Sequence, residues 1–94
     1  MIKIVKLVSG EEIVADVTLS GNEYKLEKPC VLQMVPSRAN PEQPMMGMFP
    51  YATYAEGQTV TIKAEHIVWD AKPVTELYNQ YNSAFGSGIQ LAGL

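Results

Sequence analysis

Apolar and polar residues alternate through the first third of the chain, the period of half-buried strands. Ile2 to Val8 is rich in β-branched residues, Ser9-Gly10-Glu11-Glu12 reads as a turn, and Ile13, Ala15, Val17 and Leu19 then alternate with Val14, Asp16 and Thr18. Ser20-Gly21-Asn22 is the next turn signal. A third strand sets Tyr24, Leu26, Cys30, Leu32 and Met34 against Lys25, Glu27, Val31 and Gln33, and Pro29 interrupts it. A proline inside a strand removes a ladder hydrogen bond, so it marks a bulge or an edge and bends the sheet.

Pro36 to Pro44 is a polar loop with Arg38, Asn40 and one further proline, Pro41. The run Met45-Met46-Gly47-Met48-Phe49-Pro50-Tyr51 is too apolar for a plain solvent loop and predicts the start of a long bent fourth strand, kinked near Glu56-Gly57. In Thr59 to Asp70, Val60 and Ile62 share one face and Thr59, Thr61 and Lys63 the other. A three-residue turn then leads into a short apolar strand, Ile67 to Trp69. Pro73 stands where a first helical residue is favoured, and Val74, Leu77, Tyr78, Tyr81 and Phe85 follow at helical spacing. The pattern predicts a helix over residues 73–85, stopped at Gly86, with residues 87–94 fraying as a flexible tail. Five strands joined in sequence by tight turns read as a mainly β protein, a small open five-stranded barrel of SH3 type over residues 1–70 with a C-terminal helix.

Ninety-four residues make one domain with a single small core. Hydrophobic residues are 47% of the chain and charged ones 18%, which leaves a free monomer short of polar cover and favours association. A net charge of −3 argues against the broad basic surface of a nonspecific nucleic-acid binder, so any such site must be local. Cys30 is the single cysteine, which excludes an intrachain disulfide and points to a reducing compartment. No apolar run reaches membrane-spanning length, and the sequence opens on strand-like residues instead of a signal peptide. The expectation is an intracellular protein without a membrane partner.

The stretch Thr59 to Asp70 resembles the second signature of the Sm-like family, in which a strand ending in Ile-Arg-Gly passes through a brief turn into an Ile-Val strand. Ile62, Lys63, Ala64, Ile67 and Val68 fill those places. Val5, Leu7, Gly10, Val14, Val17 and the Gly21-Asn22 turn fall at the spacing of the first signature. The chain looks most like the short Sm-like proteins of marine viral, cyanophage origin, which lack the usual N-terminal helix and carry a C-terminal one. That resemblance implies a phage protein acting in the host cell cytoplasm. It implies a homo-oligomeric ring of roughly five to seven subunits, closed through Val60, Ile62, Ile67, Val68 and Trp69. It also implies single-stranded RNA at the pore, with Asn22, Tyr24 and Lys25 in the loop position and Lys63 in the second signature. Lys63-Ala64 stands where the family has Arg-Gly; lysine keeps the charge but not the planar fork that stacks on a base.

Other reactive residues have plainer readings. His66 has no second histidine and reads as a turn residue, Cys30 as a buried inert thiol, and Glu11-Glu12 as a solvated turn. Met45, Met46 and Met48 could form an adaptable partner surface, although filling a core or an interface is the commoner use of such residues. Trp69 reads as an interface or barrel anchor. No pairing of nucleophile and base, phosphate loop or metal motif is present, so no enzyme and no cofactor is expected. Two functions remain: a ring that binds single-stranded RNA weakly, or a structural or protein-interaction module that assembles without nucleic acid.

Overall fold

The computed structural model describes residues 1–37, 39 and 42–85. Six strands, β1 (Ile2–Leu7), β2 (Glu12–Ser20), β3 (Glu23–Val35), β4 (Met45–Pro50), β5 (Thr59–Lys63) and β6 (Ile67–Ala71), precede one helix, α1 (Thr75–Phe85). The strands form a single open antiparallel sheet in the order β4-β3-β2-β1-β6, with β5 also paired to β3. Strand β3 organises it. One edge of β3 meets β2, while the other takes β5 along Glu23–Glu27 and β4 along Cys30–Val35.

Two local features set this layout. Gly21 opens the two-residue loop between Ser20 and Glu23 with a φ of 62°, the left-handed conformation that a tight hairpin needs. At Pro29 the ladder slips: Val14 pairs with Cys30 but Asp16 with Glu27, so Lys28 and Pro29 together oppose Ala15. Lys28 takes a φ of 51° there. Of the bulge or edge position that Pro29 implied, the structure has a bulge, and its one extra residue exchanges the faces of β3. Tyr24 and Leu26 therefore point to one side and Cys30 and Leu32 to the other, where unbroken alternation would have put all four together.

The expected fourth strand is two strands. After Pro50 the chain leaves the ladder, turns through Ala52 to Ala55, and re-enters at Thr59. Gly57 and Gln58 have φ values of 66° and 51°, a pair of left-handed residues that reverses the chain and cannot belong to a strand. The sharp bend expected near Glu56-Gly57 is therefore a complete break.

Side chains on the two faces of the sheet make two apolar clusters. Val5, Leu7, Ile13, Ala15, Val17 and Leu26 fill the first, and Val60, Ile62 and Ile67 pack against it. Because β5 and β6 lie on opposite sides of this order yet reach the same cluster, the sheet must curl around it. The second cluster, Val14, Cys30 and Tyr81 with Ile2, Leu32, Met48 and Phe85, lies under α1.

Helix α1 begins at Thr75, two residues after Pro73, and the Tyr78 amide donates to the Val74 carbonyl at 2.9 Å. It buries Leu77 and Tyr81, with Phe85 against Tyr81 at a ring separation of 5.0 Å. Val74 is 71% exposed and Tyr78 is exposed as well. The apolar stripe seen in the sequence is thus wider than the contact: one helix on a sheet uses the narrow i, i+4, i+8 row. The Tyr81 hydroxyl lies 2.9 Å from the Lys28 carbonyl and 3.1 Å from that of Glu27, so it donates into the bulge, where the ladder leaves carbonyls free. Gly86, the tail 87–94, Arg38 and Asn40 lie outside the described residues.

Candidate functional site

The residues suggested for RNA contact converge at one end of the sheet. Strands β3 and β5 pair Glu23 with Lys63, Tyr24 with Ile62 and Lys25 with Thr61. The Ala64 amide donates to the Asn22 carbonyl at 2.7 Å, fastening the β2–β3 loop to the turn after β5. Paired residues share a face and neighbours along a strand do not. Lys25 and Lys63 therefore lie diagonally on one face with Glu23 directly opposite Lys63, and Tyr24 lies on the other.

Tyr24 is engaged there. Its ring packs against the first cluster, and its hydroxyl donates to Asp70 Oδ2 at 2.6 Å. Lys3 Nζ donates to Asp70 Oδ1 at 3.0 Å, so one carboxylate ties β6 to β3 and β1. The Tyr24 hydrogen bond and then that of Lys3 hold the Asp70 carboxyl below its ordinary value, while the same carboxylate pushes the Tyr24 phenol up. A base could stack on Tyr24 only if this ring left the core.

The two ends of the sheet differ from its middle. Strand β6 pairs with β1 and strand β4 with β3, so each is terminal in the strand order. Of the residues suggested for a subunit interface, Val60, Ile62 and Ile67 are half-buried against the chain's own core, whereas Val68 and Trp69 are exposed, Trp69 at 42%. Met45, Met46 and Phe49 are likewise exposed on β4.

The remaining candidates have structural employment. The His66 carbonyl accepts the Val8 amide at 2.9 Å within the short turn Ala64–His66. The Cys30 thiol is buried under α1, and burial pushes its pKa up, away from the reactive thiolate. Glu11 accepts from the Ser9 hydroxyl, and Glu12 lies 3.5 Å from Lys6, so the two carboxylates have separate partners. Among the described residues no three His, Cys, Asp or Glu side chains gather as a metal site would need, and no helix is long and apolar enough to cross a membrane.

No model of a protein family matches the chain, and no curated protein matches it either. The Lys3–Asp70–Tyr24 cluster is what sequence reasoning missed. The available signal was the placing of Lys3, which alternates in phase with Val5 and Leu7 and so faces the cluster side of β1.

Proposed function

We propose that the chain is a non-enzymatic subunit of Sm-like type, whose curled sheet is an open barrel that assembles head to tail into a closed ring and serves as a scaffold. One observation carries this reading: the strand order begins and ends on strands with exposed apolar side chains, Met45, Met46 and Phe49 on β4 and Val68 and Trp69 on β6. An open sheet edge is a template for another strand, and neither terminal strand contains a lysine, although β4 ends on Pro50, the other common protection. Pairing β6 of one copy with β4 of the next is heterologous, and closure would give roughly five to seven copies. Static light scattering should give a mass several times that of one chain. A monomer at micromolar concentration would sink the proposal.

A second reading, weak binding of single-stranded RNA, is favoured by Lys25 and Lys63 on one face beside Asn22, because a ring would gather their charges around a pore. Glu23 opposite Lys63 and the engaged Tyr24 count against base stacking, which leaves phosphate contact as the main attraction. Fluorescence anisotropy with short uridine-rich and adenine-rich RNAs should show salt-sensitive binding that Lys63→Ala weakens. Equal binding by wild type and Lys63→Ala would remove the lysine face from consideration, and no binding at tens of micromolar would leave the scaffold alone.

A further inference from the structure

Beyond Val31, the last β3 residue paired with β2, strands β3 and β4 continue as a two-stranded arm. Met34 faces Met46 across this arm, and both are exposed, Met46 at 44%. Between the arm and the β1–β2 turn lies a notch of about 610 Å³, bordered by Glu11, Glu12, Leu32, Met34 and Met46. A second hollow of about 370 Å³ shares Glu12, Leu32 and Met46 and runs on to Ile4, Val74, Glu76 and Leu77 at the start of α1. The two adjoin through Glu12, Leu32 and Met46 and make one groove, mainly apolar beside α1 and mixed toward the β1–β2 turn.

Its position explains why the groove exists. Neighbouring strands are about 4.8 Å apart and a helix with side chains is about 10 Å wide, so one helix covers about two strands. Helix α1 covers Ile2, Val14 and Cys30, reaches Leu32 at its margin, and leaves Ile4, Met34 and Met46 flanking it. A second helix laid beside α1 would complete the layer. The rim selects its character: among the described residues Glu11, Glu12 and Glu76 border the groove against Lys72, with Lys6 lying 3.5 Å from Glu12, in a chain whose net charge is −3. Unbranched thioethers on the floor repack around varied apolar side chains.

We propose that this groove docks a basic amphipathic helix of another protein, with its apolar face on Leu32, Met34 and Met46 and its cations toward Glu11, Glu12 and Glu76. The surface lies at the opposite end of β3 from Lys25 and Lys63; it shares Met46 with the β4 edge of the proposed ring, so Glu76→Lys, on α1 and off that edge, is the variant that tests the groove by itself.

The probe is a labelled peptide of about 15 leucines and lysines arranged to give one apolar helical face. Two controls accompany it: the same composition in scrambled order, and a peptide with glutamate in place of lysine. Anisotropy with the full chain should show binding of the first peptide only. Met46→Lys, at an exposed position, and Glu76→Lys should each weaken it about tenfold, while Lys63→Ala should leave it unchanged. Binding of the glutamate or scrambled peptide as tight as the first, or equal binding by Met46→Lys, would overturn the proposal. So would an absence of peptide binding together with a change of mass for Met46→Lys in light scattering, which would make the groove a contact between copies.

Discussion

Asp70 shows how one side chain can join distant parts of the chain. Its carboxylate accepts from Tyr24 on β3 and Lys3 on β1, so it holds the terminal strand from two directions. Its folded pKa is depressed. The resulting stabilisation is fully present above the unfolded carboxylate value of about 3.9 and is lost as pH falls through the folded value. Urea unfolding of the wild type should therefore lose stability below about pH 4, and Asp70→Asn, which cannot ionise, should show a smaller loss over that range. Parallel curves for the two proteins would mean that the cluster contributes nothing through its charge. This contact could not be read from the sequence, because Lys3 and Asp70, 67 positions apart, meet through the pairing of β1 with β6, and Tyr24 and Asp70, 46 apart, meet through the curl of the sheet. Asn22, Lys25 and Lys63 were set together in the sequence only by the resemblance to the Sm-like signatures, since the β3–β5 pairing that joins them is not local.

At the level of elements, alternation located the strands because burial of one face imposes a period of two. It failed where the period was reset. Past the Pro29 bulge the apolar set changes face, and the Tyr51-to-Gln58 segment, although rich in tyrosine and alanine, lies outside the sheet and returns to it through two left-handed residues. Helix α1 was legible as an element but not in its contact row, since a helix period marks a stripe without saying how much of it a flat partner covers. The difference can be measured. Leu77, buried at 7% exposure, should cost about 2 to 4 kcal/mol when cut to alanine. Val74→Ala and Tyr78→Ala should stay within about 0.5 kcal/mol of wild type. Chemical denaturation midpoints test both, and an unchanged midpoint for Leu77→Ala would mean that the helix does not hold the second cluster together.

For the whole molecule, charge and apolar edges act in opposite directions on assembly. Each copy carries −3, so copies brought together in the proposed ring repel one another, while the exposed side chains of β4 and β6 favour contact. Salt shortens the reach of charge, to about 10 Å at 0.1 M, and leaves apolar contact intact or slightly strengthened. Sedimentation velocity should therefore show assembly at lower protein concentration as salt is raised from about 0.02 to 0.5 M. Phosphate binding has the opposite sign, because each neutralised phosphate releases a counterion that added salt opposes. RNA anisotropy over the same salt range should fall as the assembled fraction rises, which separates loss of ligand from loss of the ring. If salt instead dissolves the assembly, ion pairs between copies hold it together, and the apolar edges of β4 and β6 are not the contact.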